Sequence, residues 1–324
     1  MRKALFLLVT LFVFLSCEDN PKSSKVVSDS SGRINNLVVV LENELWKGEI
    51  GEAIRKNLAA AVPGLPQEEP LFDINQMPPE AFEGFVQNTR IFLQVKKGQS
   101  AGVKKATNPY AEPQTGIFVT GETNQEIINQ INSHAGDIKK ALKKTEITEK
   151  QRRISQSLAD DSRLQEALGV SLNFPSVYRY AKEKDDFFWI RREIPHGSME
   201  ILIYEVPFSE IDKDTSVIGN IIAMRDSIGK KYIPGPVDGS FMITEAAYAP
   251  YLFETKIDGK FAYETRGTWE VKNFFMAGPF LNYAVRDEEN NRYVILEGFT
   301  FAPSSRKRDN MFELEAILRS AEIE

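Results

Sequence analysis

One segment of the chain has the residue types and spacing of a catalytic nucleophile. Gly98–Gly102 reads Gly-Gln-Ser-Ala-Gly and matches the G-x-S-x-G pattern, in which small glycines permit a sharp strand-to-helix turn that exposes the serine. A triad in the order serine, aspartate, histidine would combine Ser100 with Asp185 or Asp186 and with His196. The pattern therefore raises a serine hydrolase as one alternative function.

The sequence around this motif favours a loop instead. Lys96 and Lys97 precede it, and Pro109 would end a following helix early. The helix after such a serine packs under a sheet and needs an apolar stripe, which residues 103–109 lack. We therefore predict an exposed loop over residues 96–114 and assign no catalytic residues. The chain is expected not to be an enzyme, with the Ser100 hydrolase kept as an alternative.

The other ionisable residues indicate neither a metal site nor a cofactor. The chain has only two histidines. His134 is interpreted as a polar-face residue of a predicted helix or as the site of a kink in it, and His196 lies in a predicted turn. Its single cysteine can form neither an internal disulfide nor a cysteine zinc site. Adjacent acids such as Glu68–Glu69 are interpreted as solvated or loop-capping groups. The formal net charge of −6 argues against a nucleic-acid binder, which needs a basic face.

The single cysteine lies where a lipid anchor would be attached. Arg2 and Lys3 give a positive start, and Ala4–Leu15 carries no charge. Because a membrane-spanning helix needs about 20 apolar residues, this run is too short to span and fits a secretory signal peptide. Ser16 and Cys17 follow and resemble a bacterial lipobox, which implies cleavage after Ser16, diacylglycerol on the Cys17 sulfur and an acyl chain such as palmitate on its amino group. An ordinary signal peptide with an incidental cysteine is the alternative.

The segment after the cysteine predicts a location in the cell envelope. Residues 17–33 are rich in serine and poor in apolar side chains, which is typical of a flexible tether. Glu18 and Asp19 resemble the surface-export signal of Bacteroidetes-type lipoproteins. We predict a lipoprotein anchored in the outer membrane through its N-terminal lipid, with the periplasmic face favoured over the cell surface.

The rest of the chain divides into two regions of different composition. Residues 34–170 contain 7 aromatic side chains, and residues 171–324 contain 24. In the first region, Thr123 and Glu126 form a capping box for a long helix. In the second, Asp258–Gly259 is a strong hairpin signal, because a type I′ turn needs positive φ at both central residues. We predict an α+β fold of antiparallel sheets with helices on one face, helix-richer in the first region and strand-richer in the second.

The aromatic residues of the second region suggest a binding surface. Along a strand, Phe187, Phe188 and Trp189 must alternate between the two faces, so either Trp189 or Phe188 would face outward. Further amphipathic rings suited to sugar or protein contacts are Tyr248, Tyr251, Tyr263 and Tyr283. These features favour a non-catalytic protein that binds a protein or a glycan. A structural component of an envelope assembly is a further alternative.

Several segments together resemble a known family. They are Asn36–Val40 followed by Trp46, then Gly64–Pro70, Phe187–Arg191 and the predicted closing helix. The chain is similar over about residues 33–324 to a family of uncharacterised Bacteroidetes lipoproteins, known only as a domain of unknown function. The resemblance implies an envelope location and supplies no active-site residues.

Overall fold

A computed structural model describes residues 28–184 and 186–324 of the chain. The predicted cleavage and lipid sites, Ser16 and Cys17, and one triad candidate, Asp185, lie outside the described residues. Strand β1 (Ser28–Asp29) lies in the predicted tether. The first region contains six strands, β2 (Asn36–Val40), β3 (Asp73–Met77), β4 (Ile91–Lys97), β5 (Gly102–Thr107), β6 (Ala111–Glu112) and β7 (Thr115–Gly121). Its helices are α1 (Asn43–Lys47), α2 (Glu49–Leu58), α3 (Asn124–Ser133), α4 (Ala135–Ile154) and α5 (Ser162–Leu168).

The predicted capping box starts the long helical segment. Thr123 accepts a hydrogen bond from the backbone N–H of Glu126 at 3.2 Å, and the Glu126 carboxylate accepts one from the Glu122 N–H at 2.8 Å. The segment is two helices rather than one, because His134 leaves helical geometry between α3 and α4 (φ −105°, ψ 7°). The prediction that His134 lies at a helix irregularity is confirmed.

Most of the first region is built on a five-stranded sheet in the order β3-β2-β4-β7-β5. Here the antiparallel prediction fails in detail, since β3, β2, β4 and β7 run parallel and only β5 is antiparallel. Parallel neighbours need crossover connections, and α1 and α2 provide the one between β2 and β3. Helices α2, α3 and α4 pack on one face, where Ile54, Ile127 and Leu142 meet buried strand residues such as Leu93.

The end of the predicted tether contacts this region. Strand β1 pairs in parallel with β6, so that Ser28 lies opposite Ala111. Part of the segment predicted as a loop over residues 96–114 is instead strand β5, which pairs with β7 at the edge of the sheet. Its lysines, Lys104 and Lys105, are exposed. Charged side chains are common on such edges because they discourage pairing with another chain.

The second region is richer in strands. They are β8 (Val170–Ser171), β9 (Arg179–Lys184), β10 (Phe187–Ile194), β11 (Gly197–Pro207), β12 (Met242–Thr244), β13 (Tyr251–Ile257), β14 (Lys260–Val271), β15 (Phe274–Asp287), β16 (Arg292–Phe301) and β17 (Glu322–Ile323). Its helices are α6 (Phe208–Ile211), α7 (Val217–Tyr232) and α8 (Arg308–Leu318). An eight-stranded antiparallel sheet runs in the order β12-β14-β15-β16-β11-β10-β9, with β13 also paired to β14.

The α+β fold with antiparallel sheets is confirmed by this large sheet. The hairpin predicted at Asp258–Gly259 joins β13 to β14, with φ of 49° and 72° at its two central residues. The sheet differs from the prediction in having helices on both faces. Both faces of its central strands are apolar, as the buried neighbours Phe187 and Phe188 on β10 show, so each face needs a cover.

Each face of the large sheet packs against its own helices. On one side, Leu314 of α8 and Leu164 of α5 meet a cluster that includes Phe188. On the other side, Ile211 of α6 and Ile221 of α7 meet a cluster that includes Phe187. Sites on the two faces are therefore separated by the thickness of the sheet.

Buried charges join the two regions. Glu69, in the loop between α2 and β3, accepts hydrogen bonds from the backbone N–H groups of Lys307 at 2.7 Å and Arg308 at 3.1 Å, and so caps α8. Arg308 also pairs with Asp73 of β3 at 2.7 Å. Lys150 of α4 pairs with Glu313 of α8 at 2.6 Å. Glu69 was predicted to be a solvated or loop-capping acid, but it is 4 % exposed and caps a helix.

Candidate binding site

The G-x-S-x-G segment does not form a nucleophile turn. Ser100 lies in the connection between β4 and β5, and its backbone carbonyl accepts a hydrogen bond from Thr120 Oγ1 at 2.7 Å. A strand follows the motif where a helix is required. His196 lies in the turn between β10 and β11, on the other sheet, and Asp186 lies in the turn before β10. The Ser100 triad is therefore wrong as a structural prediction, whereas the turn predicted for His196 is confirmed (φ 62°).

The described residues offer neither a metal cluster nor a membrane span. Within residues 28–184 and 186–324, no group of three or more histidine, cysteine, aspartate or glutamate side chains is placed to hold a metal ion. In the same part of the chain, no helix has both the length and the apolar character needed to cross a membrane.

Four aromatic residues of the second region line one cavity: Trp189, Trp269, Phe299 and Phe301. Phe187 and Phe188 are both buried, on opposite faces of the sheet, and Trp189 is half-buried on the Phe187 face. Trp189 and Trp269 line a cavity of about 260 Å³, together with the loop that carries Pro234. We call it the tryptophan cavity; its polar lining consists of Arg191, Ser198 and Glu200.

Neighbouring strands place the polar groups of the tryptophan cavity. Arg191 on β10 lies directly opposite Glu200 on β11, and Glu200 lies opposite Phe299 on β16. Residues paired in this way point to the same face of a sheet. The indole N–H of Trp189 donates to Glu200 Oε2 at 2.6 Å, and Arg191 Nε lies 3.5 Å from Glu200 Oε1. The second carboxylate oxygen thus lies near the Arg191 guanidinium, and the Ser198 side chain also hydrogen-bonds to this carboxylate.

Two groups in the tryptophan cavity keep unused hydrogen-bonding capacity. Burial raises the pKa of Glu200, although hydrogen bonds from the Ser198 and Trp189 side chains and the charge of Arg191 act against that rise. Trp269 is 2 % exposed, and its indole N–H has no hydrogen-bond partner among the described residues. Buried donors are normally paired, so this unpaired N–H is an exception. Gly278 allows the indole its position, because a Cβ there would lie 3.0 Å from Trp269 Nε1.

The tyrosines predicted as contact residues are divided between surface and interior. Tyr248 and Tyr251 are exposed, at 70 % and 54 %, whereas Tyr283 is fully buried and Tyr263 is half-buried. None of them lines the tryptophan cavity. Sequence reasoning identified Trp189 but missed Glu200, although a glutamate within the apolar strand Gly197–Pro207 is a signal that could have been used.

Comparisons with known proteins give a family. A model described as Domain of unknown function (DUF4837) matches residues 157–320, just over half of the chain, and one described as Domain of unknown function (DUF8532) matches residues 30–155. A search of curated proteins finds no match. Among solved structures, the chain is similar to one titled "Crystal structure of LpqN involved in cell envelope biogenesis of Mycobacterium tuberculosis", at 12 % identity and a TM-score of 0.28, over 47 % of this chain and 81 % of that chain. A likeness this weak carries no argument about fold or function. On the match over residues 157–320, the chain belongs to the family described as Domain of unknown function (DUF4837).

Proposed function

We propose that this protein is a non-catalytic, lipid-anchored protein of the cell envelope that binds a sugar residue of a glycan in the tryptophan cavity. The observation that carries the proposal is the hydrogen bond from Trp189 to Glu200 at 2.6 Å, which fixes an indole beside a buried carboxylate. Binding pockets are mostly apolar with a few placed polar groups, and the tryptophan cavity has this composition.

A sugar ring fits the chemistry of the tryptophan cavity. It offers an apolar C–H face that packs on aromatic rings, and hydroxyl groups that donate to a carboxylate or accept from an N–H. Trp189 and Trp269 supply the rings, while Glu200 supplies an acceptor and Arg191 a donor. At about 260 Å³ the cavity is smaller than the roughly 300–1,000 Å³ typical of drug-sized ligands. It therefore suits one ring rather than an extended molecule.

The proposed location rests on the N-terminal sequence. Arg2, Lys3 and the uncharged run Ala4–Leu15 have the pattern of a secretory signal, and Cys17 follows Ser16 as in a lipobox. More than one acyl chain gives a stable anchor, because each buried CH₂ contributes about 0.8 kcal/mol. We place the protein in the outer membrane, with its periplasmic face favoured. A glycan of the envelope would then be within reach of the anchored body.

Intrinsic fluorescence gives a direct test. The chain has three tryptophans, and two of them line the tryptophan cavity. The third, Trp46, lies in the first region, where the Arg55 guanidinium is 4.6 Å from its ring centroid. The variant Trp46→Phe therefore reports on the cavity alone. Titration with glucose, galactose, mannose and N-acetylglucosamine is expected to change its emission saturably for at least one sugar.

Two further variants in the Trp46→Phe background make the test specific. Glu200→Gln keeps an acceptor for the Trp189 N–H but removes the charge, and we expect at least about a tenfold loss of affinity, or 1.4 kcal/mol. Tyr248→Ala removes an exposed ring outside the cavity and should leave affinity unchanged. A dissociation constant of about 10 mM corresponds to a binding free energy of roughly 2.7 kcal/mol. If the emission shows no saturable change up to this sugar concentration, sugar binding is refuted.

A further inference from the structure

A second cavity lies between the two regions and shares no lining residue with the tryptophan cavity. It has a volume of about 780 Å³ and runs between α4 on one side and β13 and α8 on the other. We call it the interregion groove. Five cationic side chains line it, Lys140, Lys143, Lys144, Lys256 and Arg319, against two acidic ones. The lining is thus positive in a chain whose formal net charge is −6.

The floor of the interregion groove is a network of buried ion pairs. Glu315 of α8 pairs with Lys143 at 2.8 Å, with Arg266 of β14 at 2.9 Å and with Arg319 at 2.9 Å. Glu264 pairs with Arg266 at 2.6 Å and with Arg319 at 2.8 Å. Three cations therefore share two carboxylates, which leaves one positive charge uncompensated at the floor. Such a charge is expensive to bury unless an anion can approach it.

The rim adds charges that no neighbour balances. Lys140 and Lys144 are exposed on α4, and neither forms an ion pair with any residue that the structure describes. Together with Lys143 they occupy positions i, i+3 and i+4 of one helix face, where like charges repel each other. Burial lowers the pKa of Lys143, and Arg266 adds to this lowering against the opposing effect of Glu315. An anion in the groove would relieve both the repulsion and the desolvation.

The walls beside these charges are apolar. Ile147 of α4 and Phe261 of β14 both line the interregion groove and are half-buried. The aliphatic stems of the lysines extend this surface, because long cationic side chains cover apolar surface with their methylene groups. The groove therefore combines a cationic floor with apolar sides, which is an environment for a molecule with both kinds of surface.

We propose that the interregion groove binds an amphipathic anion, with its phosphate or carboxylate group at Lys143 and Arg319 and its apolar part along Ile147 and Phe261. The site is distinct from the proposed sugar site, since the two share no lining residue. The ligands that would fit have an anionic head group on an apolar chain. An inorganic anion has the charge but lacks the apolar chain.

Calorimetric titration of the full-length chain separates the two requirements. The probes are decyl phosphate below its micelle concentration, inorganic phosphate, which lacks the chain, and decyl maltoside, which lacks the charge. We expect decyl phosphate to bind at least about tenfold more tightly than either of the others, a difference of 1.4 kcal/mol. Equal binding of decyl maltoside, or of inorganic phosphate, overturns the proposal.

A pair of double variants locates the binding. Lys140→Gln with Lys144→Gln removes two exposed rim charges and leaves the ion pairs of the floor intact, so the fold is retained. We expect it to weaken decyl phosphate binding at least about fivefold. The matched control, Lys56→Gln with Lys230→Gln, removes the same charge from exposed positions of α2 and α7 outside the groove and should leave affinity unchanged. Equal loss in both double variants would show only a general charge effect and contradict the site.

Discussion

The guanidinium of Arg225 and the carboxylate of Glu297 form two parallel hydrogen bonds, of 2.8 and 2.7 Å, with each side chain only 1 % exposed. Arg225 comes from α7 and Glu297 from β16, so the pair fixes the helix to the sheet face that carries the tryptophan cavity. Asn282 donates a further hydrogen bond to Glu297 at 2.8 Å, and the guanidinium lies 3.4 Å from the Phe280 ring centroid.

Removing one partner of this pair should destabilise the protein strongly. We expect Arg225→Met to lower the free energy of unfolding by about 3–5 kcal/mol, because it leaves a buried carboxylate without its counter-charge. The double variant Arg225→Met with Glu297→Leu should lose less than the single one, since no buried charge remains. Urea denaturation measures both. Arg163→Ala breaks an exposed pair with Glu183 and should cost less than about 1 kcal/mol; a similar cost for Arg225→Met would contradict the account.

Acid should weaken the floor of the interregion groove. Burial alone would raise the pKa of Glu315, but Arg266, Lys143 and Arg319 together outweigh burial and hold that pKa well below its ordinary value. A carboxylate with a depressed pKa stabilises the folded state above its unfolded pKa of about 4.3 and loses that contribution as the pH falls further. The urea concentration at the midpoint of unfolding of the wild type should therefore decrease as the pH is lowered below about 4.3. Glu315→Gln should be less stable at pH 7 and show a smaller acid-induced loss; an unchanged pH profile would count against this role.

Glu200 should show the opposite pH dependence. Its pKa in the folded state is raised, chiefly by burial. The protonated carboxyl therefore contributes fully to the free energy of unfolding below the unfolded-state pKa of about 4.3, and this contribution is lost as the pH rises through the folded-state pKa. Glu200→Gln should consequently be more stable than the wild type at pH 7, by on the order of 1 kcal/mol. The difference should shrink at pH 4. A variant that is less stable than the wild type at pH 7 would show that the charge is well compensated.

Gly278 should be intolerant of a side chain. A Cβ at this position would lie 2.1 Å from the backbone oxygen of Thr300 and 3.0 Å from Trp269 Nε1, so either the strand or the indole must move. We expect Gly278→Ala to cost about 1–3 kcal/mol by overpacking and to shift the emission of Trp269 in the Trp46→Phe background. Gly239→Ala is a control for conformational strain without crowding, since nothing lies within 4 Å of its added Cβ. Equal emission spectra for both would argue against displacement of the indole.

The proposed anchor predicts release on loss of the cysteine. Cys17→Ala should move the protein from the envelope fraction to the soluble fraction, because no acyl chain can then be attached to the sulfur. Fractionation after a high-salt wash, with immunodetection, measures the distribution. Ser24→Ala, in the same predicted tether, should remain with the envelope. Retention of Cys17→Ala after the wash would disprove lipid anchoring through this residue.

Local signals predicted the local structure well. The capping box at Thr123, the hairpin at Asp258–Gly259 and the helix irregularity at His134 each depend on a few adjacent residues, and the structure has all three. The parallel order of the first sheet was missed because strand direction depends on crossover connections, which short apolar runs do not encode. The helices on the second face of the large sheet were missed for a related reason. The alternation of side chains along a strand shows which residues share a face, but it does not show which helix packs on that face.

The candidate sites were only partly predictable from the sequence. Trp189 was found because it is an aromatic residue in an aromatic run, whereas its partner Glu200 becomes visible only when β10 and β11 pair. The charge of the interregion groove combines residues 140–147 of α4 with residues of β13 and α8 that lie more than 100 positions later in the chain. No pattern within either segment reveals such a combination.

The carboxylate that caps α8 belongs to Glu69, 238 residues before the first N–H that it accepts. Each of the two family matches contains one half of this contact, since residues 30–155 include Glu69 and residues 157–320 include α8. A gene rearrangement that transferred either part to another protein would leave the first turn of α8 without its acceptor, or Glu69 as a buried charge without its donors. Inheritance of the two parts as one unit is thus favoured by the cost of leaving polar groups unsatisfied.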